Sequence, residues 1–451
     1  MVHFPNEILS HIFSYLLTER EKHRLHDDTI GDSLDVRLLL ETDSIRTAVR
    51  RVAIETAPFA WEGDSRYISF CPDSWLRDGH WPEFNSAISR ICDLPNLDCL
   101  EVRFSSFCDE EVFPGALHEP SFVRKKTLEA ISKTLRDRES RPDTSIIREL
   151  VLNCLEDTPL LKDLNDNLLH NIDKLHIRVA YDDDENERPE FVSYLSGTLL
   201  PSISEHLVEL TIAGHCWGSI PAEFNGQGLS FSCLKSLTLG EYIILRQDQF
   251  KWILEQRSLI SLNLYSCKIA THCLVSQPDF EDWGVNLNGW KRLPDSSTNM
   301  GQANHSPMSH THLEPLDPGW YTNDLQWSDI FDRIRQDLPE LRNINFKCSS
   351  WENYFEGYPE ILNHNGLHNR YYTFNGESWG WVLYLPAEQR PWSTERDYFK
   401  DKDMPGTPVG LYERTQSADR YALVKLMEAT HKRRGEKQCT LEGRFVIKQH
   451  D

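Results

Sequence analysis

The sequence contains no hydrophobic stretch that approaches the roughly 18 residues of a membrane-spanning helix. The first residues, Met1 to Glu7, lack the cationic and long apolar segments of a secretory signal peptide. We therefore expect a protein of the cytoplasm or the nucleus, with no membrane partner. The 11 cysteines would then be free thiols in a reducing compartment.

Clusters of basic residues are also scarce. Arg50-Arg51 and Lys432-Arg433-Arg434 are the densest, and the whole chain carries a formal net charge of −22. A chain this acidic repels the phosphate backbone of DNA and RNA. Nucleic acid is therefore not an expected partner.

The motifs of common metal and phosphate sites are missing. The sequence has no H-E-x-x-H motif, no phosphate-cradling glycine loop and no C-x-x-C pair. His305, His310 and His312 lie close together, but the stretch around them offers no rigid frame and no evident fourth zinc ligand. We predict no metal and no cofactor.

One catalytic motif is present in outline. Gly214-His215-Cys216-Trp217-Gly218 has the G-x-C-x-G spacing of a nucleophile elbow. An elbow requires a helix directly after the nucleophile, and the residues that follow, which include Pro221, are a poor helix start. We expect a turn here and a protein that is not an enzyme, with a cysteine hydrolase using Cys216 as the remote alternative.

The chain does contain a repeated phrase, L-x-x-L-x-L, in which Ile can replace Leu. Five copies lie 25 to 35 residues apart, at Ile147–Leu152, Ile172–Ile177, Leu207–Ile212, Leu234–Leu239 and Leu259–Leu264. Phrase and period are typical of leucine-rich repeats, which stack their strands side by side. Alternate side chains of a strand face the same way, so Leu237 and Leu239 would face the core and Thr238 would face outward.

Weaker copies of the phrase extend the array in both directions, at Val49–Ile54, Leu97–Val102 and Leu341–Phe346. We predict an α/β fold in which residues 46–350 form a leucine-rich-repeat-like solenoid with a mobile insertion near 295–318. The repeat helices are predicted at Glu83–Cys92, Asp248–Leu254 and Trp327–Leu338.

The last hundred residues have a different character. Residues 351–451 are predicted to form an aromatic-rich α+β cap on the last repeat. Tyr371–Phe374 and Trp379–Tyr384 flank an Asn-Gly pair, which predicts a hairpin. A final helix is expected over Ser417–Lys432.

The N-terminal segment, residues 1–45, begins with an amphipathic helix. Pro5 suits the first helical position, Glu7 follows in the first turn, and apolar residues then recur at spacings of three and four up to Leu16. The phrase Phe4-Pro5-Asn6-Glu7-Ile8-Leu9, followed by Ile12-Phe13 and Leu16, resembles the opening of an F-box. Phe4 replaces the usual leucine, and the second half of the motif is degenerate. The whole architecture is similar to that of fungal F-box proteins with degenerate leucine-rich repeats.

The resemblance implies a function in protein degradation. F-box helices dock on a Skp-family adaptor, which links to a cullin in an SCF-type E3 ubiquitin ligase, while the repeats hold a protein substrate. The residues carried over as adaptor contacts are Pro5, Glu7, Ile8, Leu9, Ile12, Phe13 and Leu16. The alternatives are a helix that simply caps the solenoid and a repeat-based interaction module without a ubiquitin role. Candidate substrate contacts are the outward strand residues Glu209, Thr211, Thr238 and Asn263.

Overall fold

The computed structural model describes residues 43–56, 73–105, 119–180, 189–219, 223–224, 226–275, 286–293, 319–347, 367, 370–375 and 411–435. The F-box-like helix and the insertion predicted near 295–318 lie outside the described residues. Within them the fold is α/β, with an open and mostly parallel sheet of 12 strands. No helix in the described part of the chain is both long and apolar enough to span a membrane.

Twelve strands make up the sheet. They are β1 Arg51–Glu55, β2 Cys99–Arg103, β3 Glu149–Leu155, β4 Lys174–Val179, β5 Glu209–Trp217, β6 Ser236–Ile244, β7 Ser261–Tyr265, β8 Lys268–Val275, β9 Lys291–Arg292, β10 Gly319–Thr322, β11 Asn343–Lys347 and β12 Tyr371–Asn375. Strands β1 to β7 and then β11 lie side by side, all parallel, in the order in which the chain reaches them.

A second group of strands extends from the long strand β6. The first half of β6 pairs with β7, while Ile243 and Ile244 in its second half pair with β8. Strand β8 also pairs with β12 in parallel and with β10 in antiparallel fashion, and β10 pairs with β9.

Helices connect most of these strands. They are α1 Asp43–Ala48, α2 Asp73–Asp78, α3 Pro82–Ser89, α4 Ser121–Glu139, α5 Lys162–Leu169, α6 Pro189–Tyr194, α7 Leu200–Ile203, α8 Lys251–Leu254, α9 Trp327–Asp337 and α10 Leu411–Arg434. Short 3₁₀ turns at Arg90–Asp93 and Gln247–Phe250 complete two of the predicted helices, and a π turn at Leu195–Leu199 links α6 to α7.

The bounds of the first strand and of the final helix differ from the prediction. The first strand begins at Arg51 rather than Val49, because the Val49 N–H still bonds to the Ile45 carbonyl of α1. Strand β12 pairs with β8 in parallel, and its predicted hairpin partner, Trp379–Tyr384, lies outside the described residues. The final helix begins earlier than predicted, at Leu411.

The repeat phrases lie on adjacent strands of one sheet, as predicted. Their middle residues form a single row in register: Val52, Leu100, Leu150, Leu175, Leu210, Leu237, Leu262 and Ile344. All members of this row between the two ends are buried in one apolar core. Each such side chain contributes roughly 1.5–3 kcal/mol by leaving water.

A repeated backbone contact, here named the carbonyl ladder, joins each unit to the next. The carbonyl of Arg50 accepts hydrogen bonds from the N–H groups of two consecutive residues, Asp98 and Cys99. Equivalent carbonyls accept the same two bonds in every later unit, at distances of 2.7 to 3.2 Å: Asp98, Arg148, Asp173, Val208, Lys235 and Ile260. The units therefore share one backbone geometry even where their spacing in the sequence differs.

A left-handed residue ends the phrase in three of the strands. Cys154, Glu241 and Ser266 have φ values of 59°, 58° and 51°, and each lies two residues beyond the last apolar residue of its phrase. This conformation is costly for residues with a Cβ atom. Its recurrence at one position marks a common bend, after which β6 turns toward β8.

A buried arginine supports the loop that precedes β2. The Arg138 side chain on α4 donates hydrogen bonds to the carbonyls of Ile91, Leu94, Pro95 and Leu97 at 2.6 to 3.3 Å. It also donates to the carbonyl and the hydroxyl of Ser145, just before β3. One guanidinium thus supplies hydrogen-bond donors to the carbonyls of the irregular backbone just before β2 and β3.

A buried ion pair fixes the C-terminal helix. Arg370 and Asp419 lie 2.7 Å apart with side chains that are 0% exposed. The Tyr371 hydroxyl and the backbone N–H of Ser328 also donate to the Asp419 carboxylate, both at 2.8 Å. Helix α10 is therefore tied to β12 and to the first turn of α9, against which it packs.

Candidate protein-binding face

The side of the sheet opposite the apolar rows carries polar side chains, and we name it the outer face. Its first row precedes the middle leucines: Arg51, Cys99, Glu149, Lys174, Glu209, Ser236, Ser261 and Asn343. Its second row follows them: Ala53, Glu101, Val151, His176, Thr211, Thr238, Asn263 and Asn345. A third row lies two residues further on and includes Arg103, Asn153, Arg178, Ala213, Gly240, Tyr265 and Lys347.

Ionic contacts dominate the outer face over β1 to β4. The Glu101 carboxylate lies 2.7 Å from the Arg51 guanidinium and 2.6 Å from that of Arg103. Glu149 lies 3.7 Å from Arg51 and 3.8 Å from Lys174. Burial opposes ionisation of Glu101, but hydrogen bonds from the two arginines hold its pKa below the ordinary value. Each of the three cations Arg51, Arg103 and Lys174 therefore has a carboxylate partner on this half of the face.

His176 lies at the boundary between the two halves of the outer face. Its Nδ1 is 2.8 Å from the Thr211 hydroxyl oxygen on the next strand. Burial lowers the pKa of His176, although the carboxylates of Glu209 and Glu149 act in the opposite direction. The imidazole is therefore neutral at physiological pH.

From β6 onward, hydrogen bonds between neutral side chains replace the ion pairs of the outer face. The Asn263 amide donates to the Thr238 hydroxyl at 2.9 Å, and the Asn345 amide donates to the Asn263 oxygen at 2.7 Å. These two hydrogen bonds link β6, β7 and β11, so the second row is ordered here without ion pairs.

The structure places the four predicted substrate contacts together on the outer face. Glu209 and Asn263 are partly exposed. Thr211 and Thr238 are only 5% and 6% exposed, because the side chains of neighbouring strands crowd them. These two threonines thus offer little surface, contrary to the expectation for an outward position. The predicted adaptor contacts, from Pro5 to Leu16, lie outside the described residues.

Sequence reasoning missed most of the polar residues that share this face. Arg51, Glu101, Lys174, His176 and Asn345 were not selected, although each stands at a variable position of a repeat phrase. The repeat phrase could have identified these residues, because the register of the leucines also fixes the register of the residues between them on the opposite side of the sheet.

Cys216 lies within β5, which continues to Trp217, so most of the motif expected to form a turn is a strand. No helix is found in the described residues between β5 and β6. The strand–turn–helix of a nucleophile elbow is therefore not formed there. Burial raises the pKa of the Cys99 thiol to about 12, which favours an unreactive group. In the same described ranges, no group of three or more His, Cys, Asp or Glu residues could hold a metal.

Comparisons with protein-family models, with curated proteins and with solved structures found no match to this chain. The functional inference therefore rests on the outer face and on the N-terminal motif. The face is an ordered surface of eight strands, on which residues such as Arg51, Glu209, Asn263 and Asn345 reach solvent while Thr211 and Thr238 are buried. Such a surface suits recognition of another protein better than it suits chemistry.

We expect His176 to make folding stability sensitive to acid. The pKa of His176 is lowered in the folded chain, so folding disfavours the protonated imidazole, and this penalty is absent well above the ordinary pKa of 6.5. As pH falls below 6.5, the unfolded chain takes up the proton first and stability declines. The decline is at most about 1.4 kcal/mol per pH unit and stops below the folded pKa. The measurement is the unfolding free energy of the wild type minus that of His176→Gln, from neutral pH to about pH 5.

His170→Gln is the matched control, because it lies in the turn after α5 and outside the outer face. This exposed substitution should leave the unfolding free energy at neutral pH within about 0.5 kcal/mol of the wild-type value. A wild-type advantage over His176→Gln that grows on acidification would contradict the assignment of a neutral, buried imidazole.

Proposed function

We propose that this chain is the substrate-recognition subunit of an SCF-type E3 ubiquitin ligase, built as a leucine-rich-repeat-like solenoid. The observation that carries the solenoid part of the proposal is the single row of buried leucines on parallel strands in strict chain order. Stacked repeats produce this order, since each unit can bury its apolar face only against its neighbours.

Two further contacts support a leucine-rich-repeat reading. The carbonyl ladder repeats between every pair of successive units. In addition, Cys267 occupies the phrase position where these repeats carry Asn or Cys, and its thiol donates to the Leu239 carbonyl of the preceding unit at 3.4 Å. Helix α10, held by the Arg370–Asp419 pair, would serve as the end cap.

In this proposal the chain itself performs no chemistry. The N-terminal helix docks on a Skp-family adaptor in the cytoplasm or nucleus, and the outer face holds a protein substrate. The adaptor and the substrate are thereby held within one cullin complex. This raises the effective concentration of substrate lysines near the ubiquitin-charged enzyme. The link to ubiquitin rests on the F-box-like motif alone.

Co-purification of the full chain with a Skp-family adaptor tests this link. Ile12→Asp combined with Leu16→Asp should abolish binding, because the two charges fall on the apolar stripe that would contact the adaptor. Ser10→Asp combined with Ser14→Asp adds the same charge off the stripe and should leave binding intact. Circular dichroism of each variant checks that the repeats remain folded.

A wild-type chain that fails to bind the adaptor would refute the ubiquitin role. The same conclusion follows if the charged stripe binds as well as the wild type. The second candidate, a repeat-based interaction module without a ubiquitin role, would then remain, since its support comes from the outer face.

A further inference from the structure

One part of the outer face contrasts with the rest of this acidic chain. Strands β6, β7 and β11 contribute nine positions in three rows to the outer face, which we name the neutral patch: Ser236, Thr238, Gly240, Ser261, Asn263, Tyr265, Asn343, Asn345 and Lys347. Thr238 and Gly240 are buried, and the other seven are at least partly exposed. None is acidic, although the chain carries a net charge of −22. On such an acidic chain, a region without carboxylates has a less negative electrostatic potential than the surface around it.

Lys347 is the cation of the neutral patch, and it has no ion pair among the described residues. It differs in this from Arg51 and Lys174, which contact Glu149. The ammonium group is partly buried, and this desolvation lowers the pKa of Lys347. A bound anion would stabilise the charged ammonium group and replace the hydration that burial has removed.

The asparagines of the patch retain hydrogen-bonding capacity. An amide side chain offers two N–H donors and an oxygen with two lone pairs. Asn345 spends one N–H on Asn263 and is exposed, so its other donor and its oxygen face outward. Asn343 accepts a hydrogen bond from Arg434 and keeps its N–H groups for a partner. Amide groups of this kind match the N–H and C=O groups of a peptide backbone.

The spacing of the rows suits an extended chain. Successive rows are two residues apart along each strand, and a strand rises roughly 3.3 Å per residue. A bound peptide in extended conformation repeats its own alternate side chains at the same interval. A segment lying along β11 would therefore meet Asn343, Asn345 and Lys347 in turn.

We propose that the neutral patch binds an extended segment of a partner protein whose Asp or Glu side chain pairs with Lys347, while its backbone hydrogen-bonds to Asn345 and Asn343. This inference deepens the proposed function, because it rests on the outer face being the substrate surface. It also assigns binding to the C-terminal half of that face. In the half over β1 to β4, Arg51, Arg103 and Lys174 already pair with carboxylates of the same face, and these ion pairs hold the strands together.

Selection of short random linear peptides on the full-length protein tests the proposal. Wild type should enrich peptides with Asp or Glu. Lys347→Glu should weaken the selected peptides by about tenfold and, when selected afresh, should enrich Lys or Arg at the same peptide position. Lys235→Glu is the matched control, since this exposed lysine precedes β6 outside the patch and should leave the selection unchanged. Thermal melting verifies that all variants are folded.

The proposal is overturned if the wild type selects no peptide, or selects peptides without acidic enrichment. Binding to phosphoserine peptides but not to their Asp or Glu counterparts would also overturn it. So would equal effects of Lys347→Glu and Lys235→Glu. Adaptor co-purification is measured in parallel on the same variants, so loss of the ubiquitin role and failure of the neutral patch give different results.

Discussion

Asp419→Ala is expected to lower the unfolding free energy by about 3–5 kcal/mol, the usual cost of removing one partner from a buried ion pair. The substitution leaves the Arg370 guanidinium without its carboxylate in a site from which water is excluded. It also removes the acceptor of the Ser328 N–H in the first turn of α9 and of the Tyr371 hydroxyl. Denaturant unfolding, followed by circular dichroism, measures the change.

Glu428→Ala is the control on the same helix. Its carboxylate pairs with Lys425 at 3.0 Å, but both side chains are substantially exposed, so the loss should stay below about 1 kcal/mol. Hydrogen exchange should locate the effect of Asp419→Ala in α9 and α10. Equal stability of the two variants would show that the buried pair does not hold the C-terminal helix.

Arg138→Leu is expected to cost a similar amount, about 3–5 kcal/mol, although it replaces a charged residue by an apolar one. The leucine fills part of the space but removes the charged donor from the carbonyls of Ile91, Leu94 and Leu97. Each carbonyl keeps one other donor, from the backbone or from the Ser145 hydroxyl. A hydrogen bond from a charged group is worth about 1.5–3 kcal/mol, and several are lost at once. Thermal and denaturant unfolding measure the loss.

Arg136→Leu makes the same chemical change two residues earlier on α4, where the side chain is exposed. Its effect should lie within about 0.5 kcal/mol of zero. If Arg138→Leu proved as stable as Arg136→Leu, the loop before β2 would have to be held by its apolar contacts alone.

The apolar rows could be predicted from the sequence because they depend on a local rule. A leucine triplet with period-two alternation faces one side of a strand wherever that strand lies. The position of Leu237 beside Leu210 and Leu262 then follows from stacking consecutive units.

The buried arginines could not be predicted in the same way. Arg138 bonds to a loop more than forty residues away, and Arg370 bonds to Asp419 on a helix 49 residues further along. No short-range pattern encodes such pairs. A weak signal existed for Arg138, because it continues the buried stripe of Leu128, Ile131 and Leu135 on α4.

The candidate site was predictable in position but not in exposure. The variable positions of the repeat phrase identify the outer face, and Glu209, Thr211, Thr238 and Asn263 all lie there. How much of each residue reaches solvent depends on the side chains of adjacent strands. Thr211 is covered for this reason, while Asn345 near the end of the array is exposed.

The carbonyl ladder determines which residue this architecture cannot accept. Its donors are backbone N–H groups, from Asp98 and Cys99 in one unit to Arg342 and Asn343 in the last, so the ladder itself sets no requirement on their side chains. Proline alone has no N–H to give. The chain contains 23 prolines, and none occupies a donor position. When new units are engineered into the array, the surface residues can therefore be chosen freely, except that proline must be avoided at these two donor positions of each unit.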